Sequence, residues 1–196
     1  MRHKLIRLAE NVWLWPHDPS FNAIQSSVGV LIGENGSVLV DAGNSPELAR
    51  RIRHELAQSG LPPVSHIIYT HHHWDHTYGA CEFQVPVLSH SMCKTILADE
   101  AHKPWGPEYL LQEIERNPLL RASYGARMRA IRDWATFRII IPDVVFESLM
   151  TIKLGQINIE LQHVGGQHAE DSIVVKVPSA RVMFLGDCYY IAGLTG

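Results

Sequence analysis

The feature that most constrains this chain is one short tract, Thr70-His71-His72-His73-Trp74-Asp75-His76, which holds four histidines and one carboxylate. It directly follows the largely apolar run 64–69, so a buried strand would deliver the tract to a loop at the edge of a sheet. Neutral imidazoles and a carboxylate suit zinc, manganese or iron(II), and the tract contains no thiolate that would indicate a closed structural zinc site. The pattern therefore indicates a metal centre.

The spacing divides the ligands of the tract into two pairs. His71 and His73 are two apart, so on an extended chain they project to the same side, while Asp75 and His76 follow a few ångströms further on. One pair for one ion and the other pair for a neighbouring ion is the natural interpretation. A histidine-rich purification tag would be terminal and would lack the preceding strand, and this internal tract matches neither description.

Length and composition are those of an ordinary globular protein. The 196 residues, 46% hydrophobic and 19% charged, suffice for one core, so we predict a single domain over residues 1–196. A net charge of −3 gives no electrostatic reason to expect a nucleic-acid partner. We see no secretion signal and no apolar run near the ~20 residues of a membrane span, so we expect a cytoplasmic protein without a membrane partner. The three cysteines lack zinc-finger or redox spacing, and no disulfide framework is expected.

Alternation and turn residues predict strands on both sides of the tract. We predict them at 11–15, 27–32, 37–40, 64–70, 85–88, 149–154, 157–163, 173–177 and 181–185. Ser45-Pro46 starts a helix that runs to Gly60, and the strand–helix–strand order that results predicts a βαβ-like unit. A helix is also predicted over 92–97, with His90 capping or packing rather than binding metal. Residues 102–142 form a predicted helical insertion whose second apolar stripe runs from Tyr124 to Ala135.

Three segments together resemble the metallo-β-lactamase superfamily. They are the H-x-H-x-D-H pattern of the tract, the loop Gly165-Gly166-Gln167-His168 and the segment Phe184-Leu185-Gly186-Asp187. The resemblance spans about residues 12–187 and implies an α/β (α+β) fold, the four-layer αββα sandwich, in which two sheets pack face to face with helices outside.

The same resemblance implies a set of metal ligands. His71, His73 and His168 would hold one ion, Asp75 and His76 the other, and Asp187 would bridge both. Asp41 would orient a ligand histidine from behind, although an acid that only caps a turn is an equally good interpretation. Cys188 would point away from the ions on an extended chain, so we expect a buried small residue there and not a ligand.

The implied activity is that of a metal-dependent hydrolase. Two ions would share a water molecule and supply metal-bound hydroxide at neutral pH. Zinc is the simplest choice, although manganese or iron would also suit the ligands. Asp75 would steer this water or pass a proton to the leaving group. The ligands leave the small-molecule substrate open among esters, thioesters, lactones and β-lactam-like compounds. An alternative from another class is a non-catalytic metal-binding or regulatory module of the same fold.

The insertion and the C-terminus carry two further expectations. Arg121, Arg127, Arg129 and Arg132 make the second helix of the insertion basic, either as a solvated face or as a lid that meets an anionic or bulky substrate. No histidine follows His168, whereas the superfamily takes a last ligand from a C-terminal segment. We therefore expect the C-terminal part of the fold to be short or missing, the shell of the second ion to be incomplete, and the chain to self-associate as a homo-oligomer.

Overall fold

Two sheets form the framework of the structure, a computed structural model that describes residues 5–20 and 22–189. The strands are β1 (Ile6–Ala9), β2 (Val12–Trp15), β3 (Val28–Ile32), β4 (Ser37–Val40), β5 (Val64–Ile68), β6 (Val87–His90), β7 (Val144–Phe146), β8 (Leu149–Leu154), β9 (Ile157–His163), β10 (Ile173–Val177) and β11 (Val182–Phe184). The helices are α1 (Pro46–Gln58), α2 (Trp74–Thr77), α3 (Ser91–Ala101), α4 (Pro107–Arg116) and α5 (Arg121–Ala130), and 3-10 turns lie at Tyr78–Glu82, Pro118–Leu120 and Pro178–Ala180.

The larger sheet has seven strands in the order β1 to β7. Its first half is antiparallel, and the β3–β4 hairpin pairs Ile32 with Ser37 across the predicted Asn-Gly turn. Ser45 caps α1 by accepting a hydrogen bond from the backbone N–H of Leu48. After α1 the chain returns as β5, parallel to β4, which confirms the predicted βαβ unit and places the histidine tract at the carboxyl end of β5.

The smaller sheet, with the order β11-β10-β9-β8, packs face to face on the larger one. Val40 and Ile68 of the first sheet share one buried cluster with Ile159 and Val175 of the second. Helices α1 and α3 cover the opposite face of the larger sheet. The predicted α/β sandwich is therefore confirmed, although within residues 5–20 and 22–189 no helix forms a fourth layer on the smaller sheet.

The helices between β6 and β7 pack on the histidine tract. Ala126 of α5 and Ile131, which follows α5, form a buried cluster with Trp74 and Tyr78. Helix α4 packs on α5 through Leu110, Ile114 and Tyr124. Tertiary packing therefore ties this helical segment directly to the predicted metal site.

Several predicted boundaries were wrong. Strand β6 begins at Val87, two residues later than predicted, and α5 ends at Ala130 instead of continuing to Ala135. Strands β1 and β7 were missed because both are short edge strands of the sheet, where a partner strand and not an alternating pattern defines the structure. In β7, Val144 pairs with Leu88 of the parallel strand β6.

Gly79 holds the tract close to the end of β4. Its backbone N–H donates to the carbonyl of Gly43, and the backbone N–H of Ala42 donates to the carbonyl of His76. A Cβ atom at position 79 would lie 2.0 Å from the carbonyl oxygen of Ala42. Because that neighbour is backbone and the N–H of Ala42 is hydrogen-bonded to the tract, it cannot move aside without disturbing the tract.

Replacing Gly79 should therefore destabilise the fold. We expect Gly79→Ala to lower the free energy of unfolding by about 2 kcal/mol or more. Gly125→Ala is the matched control, because its Cβ would meet only the flexible end of Arg129 at 3.3 Å and would favour helix α5. Urea unfolding of both variants checks the prediction, and equal stabilities would contradict it.

Candidate metal centre

Four strand ends meet at one edge of the sandwich and carry all the predicted site residues. Asp41 follows β4, the tract follows β5, His168 lies between β9 and β10, and Asp187 follows β11. Gly186 permits this convergence, because it has a φ of 53° and its Cβ would lie 2.6 Å from Oγ1 of Thr70. The strand ends thereby bring Asp187 beside the tract.

The first predicted ligand set comes together in space. One ligand atom from each of His71, His73 and His168 lies within 4.8 Å of the others. The Nε2 atom of His71 is buried and has no hydrogen-bond partner. A buried polar atom without a partner is costly, and a metal ion in this group would satisfy it.

The second set shares the carboxylate of Asp187 with the first. His71, His76 and Asp187 form another group within 4.8 Å. Oδ1 of Asp187 is 3.3 Å from Nε2 of His76, and Oδ2 is 3.4 Å from Nε2 of His168, so the two oxygens face the two sets. Oδ2 of Asp75 is 3.4 Å from Nε2 of His76. The structure therefore brings all six predicted ligands together.

Local geometry near these ligands differs from the sequence prediction in two respects. Asp75 and His76 lie on the short helix α2, for which His73 is the N-cap, and not on an extended loop. Cys188 is exposed, so the expectation of a buried residue was wrong. The reason is that β11 ends at Phe184 and a turn follows, with the N–H of Cys188 donating to the carbonyl of Leu185.

Asp41 connects the sheet to the ligands. Its carboxylate accepts hydrogen bonds from the backbone N–H of Thr70 (2.7 Å), from Oγ1 of Thr70 (2.9 Å) and from Nδ1 of His76 (2.8 Å). Because Nδ1 of His76 donates to this carboxylate, Nε2 is the atom left to bind a metal. This is the position that the sequence analysis gave to an orienting acid.

Burial and charge shift the pKa values of the tract in opposite directions. Burial, together with the neighbouring imidazoles, lowers the pKa of His71 far below its usual value and that of His73 to about 4. Burial alone would also lower the pKa of His76, but the carboxylates of Asp75 and Asp41 outweigh it and raise the pKa. His71 and His73 are therefore neutral at pH 7, and each keeps a nitrogen lone pair that can bind a metal. The carboxylates of Asp75 and Asp41 favour a positive charge at His76, which either a proton or a metal ion can supply.

The structure also reveals an interaction that the sequence analysis missed. Nδ1 of His72 lies 2.8 Å from Oδ1 of Asp171, a carboxylate whose side chain is fully buried. Burial would raise the pKa of Asp171, but the contact with His72 outweighs it and the pKa is lowered. The ring of His72 lies 4.5 Å from that of His73, but its partner Asp171 is 99 positions away in sequence, so no local pattern indicated the pair. The pair links the tract to the loop that carries His168.

Two other histidines have structural roles. His90 caps α3 by accepting a hydrogen bond from the N–H of Met92, and its ring stacks on that of His163 at 3.8 Å. The expectation that His90 caps or packs is confirmed. His163 also contacts the carbonyl of Glu170 through Nε2, close to the His168 loop.

The fold and the clustered histidines define the class of protein. A model of the metallo-beta-lactamase superfamily matches residues 22–192, and this chain belongs to that superfamily. Its members bind metal ions, and the cluster of histidines and aspartates described above could hold them.

One curated relative shares detectable sequence similarity with this chain. The 2,4-dinitroanisole O-demethylase subunit alpha of Nocardioides sp. (strain JS1661) is 26% identical over 160 residues, which cover 81% of this chain and 39% of the relative. The chain thus corresponds to well under half of that protein.

Solved structures show the same fold at lower identity. A metallo-beta-lactamase from Pontibacter korlensis is 19% identical with a TM-score of 0.64, covering 93% of this chain and 70% of that one. BJP-1, a subclass B3 metallo-beta-lactamase of Bradyrhizobium japonicum, is 17% identical with a TM-score of 0.58, covering 89% of this chain and 56% of that one.

No helix in the part of the chain that the structure describes is long and apolar enough to cross a bilayer.

The role of Asp41 is testable by removing only its charge. Asp41 has a φ of 65°, a conformation that asparagine tolerates, so Asp41→Asn should fold. Without the negative charge behind His76, we expect zinc affinity to fall about 10- to 100-fold. Competition with a chromophoric chelator measures this change.

The control for this variant is Asp133→Asn, which alters an exposed acid that hydrogen-bonds only its own turn. Its zinc affinity should equal that of the unmodified chain. Undiminished affinity in Asp41→Asn would show that the carboxylate is merely a cap for the turn.

Proposed function

We propose that this chain is a metal-dependent hydrolase with a dinuclear site, most simply of zinc, that acts on a small organic molecule. The observation that carries the proposal is the pair of buried Nε2 atoms of His71 and His76, neither of which makes a well-directed hydrogen bond, although carboxylate oxygens of Asp187 and Asp75 lie 3.3 and 3.4 Å from that of His76. Both belong to groups of candidate ligands that include Asp187 or His168. Unsatisfied buried nitrogens that face carboxylates fit a cation between them.

The proposed roles are those that the family resemblance implies, and the distances support them. His71, His73 and His168 would hold the first ion and Asp75 and His76 the second, while Asp187 turns one oxygen to each set. His71 belongs to both groups, but one ring nitrogen binds one ion, so we propose that Asp75 supplies the ligand that the second set then needs. Bound metals would supply an activated water and polarise the bond to be cleaved.

The protein itself contributes orientation and proton transfer. The Asp41 carboxylate fixes the tautomer of His76 through Nδ1 and leaves Nε2 directed at the site. A carboxylate oxygen of Asp75 would accept a proton from the attacking water and pass it to the leaving group. The buried Asp171 carboxylate holds the ring of His72 at the rim of the cavity beside His73.

We propose a substrate with an ester, thioester, lactone, β-lactam-like or aryl ether bond. The aryl ether is added because one relative is named a 2,4-dinitroanisole O-demethylase subunit. Packing of α5 on Trp74 and Tyr78 supports the view that the helical segment at 102–142, rather than the ligands, selects the substrate. From its slight net charge we further propose that the protein has no nucleic-acid partner, and we also propose a cytoplasmic location, no membrane partner and self-association.

The rival proposal is a metal-binding or regulatory module without turnover. It is motivated by the second set, in which Asp75 and His76 share the remaining carboxylate, that of Asp187, with the first set. Metal stoichiometry measured together with activity separates the two. Two bound ions and hydrolysis of a generic ester or thioester support the enzyme, and one ion without turnover supports the module.

Replacing His168 tests how the two halves of the site assemble, because this ligand alone of the first set comes from outside the tract. We expect His168→Ala to lose the first ion and at least about 100-fold of the ester hydrolysis, since an incomplete shell cannot position the metal. His54→Ala, which changes an exposed histidine of α1, is the matched control. Elemental analysis after dialysis and an ester assay give the two readouts, and unchanged metal content in His168→Ala would contradict the assignment.

A further inference from the structure

A cavity of about 260 Å³ opens beside the metal-site histidines, under the helical segment. His72 and His73 line one end, and Lys103 and Glu100 line another part of the wall. The remaining wall is largely apolar or aromatic and is formed by Trp74, Tyr78, Leu97, Leu120, Tyr124 and Ile139. Arg127 of α5 also lines it and provides a permanent positive charge among these rings.

The guanidinium of Arg127 is enclosed by aromatic rings. Its Cζ atom lies 5.4 Å from the ring centroid of Trp74, 5.5 Å from that of Tyr78, 5.0 Å from that of Trp105 and 4.7 Å from that of Tyr124. Nη1 donates to the Tyr78 hydroxyl at 3.2 Å. The Nε atom is buried and has no hydrogen-bond partner. No carboxylate in the described part of the chain forms an ion pair with Arg127.

Other arginines of this chain are balanced differently. Arg50 and Arg116 each meet a glutamate at 2.9 and 2.7 Å, while Arg127 has rings and a neutral phenol in place of an acid. Arginine does not lose its proton, so its half-buried charge cannot be relieved by titration. The cation–π contacts offset part of the free-energy cost of removing the guanidinium from water. They leave N–H donors of the guanidinium without acceptors, and a planar anion would accept hydrogen bonds from these donors.

We propose that this cavity binds an aromatic anion, with the anionic group on Arg127 and the ring against the aromatic wall. The proposal rests on the proposed function, because it makes the cavity the subsite for an acidic aryl portion of the substrate and places the bond to be cleaved toward His73. The size is suitable, since a cavity of about 150 Å³ already accommodates benzene.

The competing account gives Arg127 a purely structural role. In that account the rings hold the guanidinium only to fasten α5 onto the tract, and loss of the charge changes stability without changing any ligand affinity. The two accounts therefore differ in what they predict for a charged ring and an uncharged ring of the same shape.

Calorimetric titration of the folded chain separates them, with benzoate as the charged ring, benzamide as its neutral analogue and acetate as the charge without the ring. We expect benzoate to bind at least about tenfold more tightly than either of the others, and Arg127→Gln to remove that advantage, because a charge-assisted hydrogen bond is lost. Benzamide should bind the variant and the unmodified chain equally. Arg121→Gln, an exposed change on the same helix, should leave benzoate affinity unchanged.

Arg127→Lys is a second variant, needed in case Arg127→Gln fails to fold. It keeps the positive charge but loses the planar guanidinium group with its paired N–H donors. Thermal melting should show it folded, with benzoate affinity reduced several-fold. Titrations with and without added zinc separate this proposal from the proposed function, because benzoate binding through Arg127 should survive chelation of the metal even if no hydrolysis is found. Equal benzoate affinity in the folded Arg127 variants and the unmodified chain, or no preference for benzoate over benzamide and acetate, would overturn the inference.

Discussion

The buried carboxylate of Asp41 is the interaction on which the rest of the site depends. The backbone of Asp41 is left-handed, with a φ of 65°, and its N–H donates to the carbonyl of Ile68 at the end of β5. That conformation costs a non-glycine residue about 1–2 kcal/mol. Three hydrogen bonds to the carboxylate offset the cost and join the ends of two parallel strands to His76.

From this point the two sheets determine the geometry of the ligands. Parallel strands β4 and β5 end at the same edge, and the smaller sheet delivers His168 and Asp187 to it. Rigid strand ends hold side chains more accurately than free loops do, so imidazole nitrogens and carboxylate oxygens can stay buried together where a cation would sit. The helical segment then adds a cavity whose wall combines aromatic rings with Arg127. Because this segment packs on the histidine tract, the candidate ligands and the proposed substrate-binding wall belong to one packed structure.

Local sequence signals predicted much of this arrangement. The β3–β4 hairpin, the cap at Ser45 and the order of strand, helix and strand around the tract each follow from a few adjacent residues, and the structure contains them. Motif resemblance also proposed the six ligands that the fold brings together. These features were predictable because turn chemistry and hydrophobic periodicity act over short stretches of chain.

The missed features depend on partners distant in sequence. Strand β7 exists because β6 offers a parallel edge, and His72 meets Asp171 across 99 positions of sequence. Arg127 belongs to a basic stretch that resembles a solvated face, yet four aromatic rings surround its guanidinium. Cys188 is exposed because the strand before it ends sooner than the alternating pattern suggested. Only tertiary packing decides such cases.

We propose that two ions lie between these strand ends, and anomalous diffraction from zinc-loaded crystals would reveal them. We expect two peaks about 3.5–4 Å apart. One should lie among His71, His73 and His168, the other beside Asp75 and His76, with Asp187 reaching both. A single peak, or two peaks that leave Asp187 uncoordinated, would contradict the account.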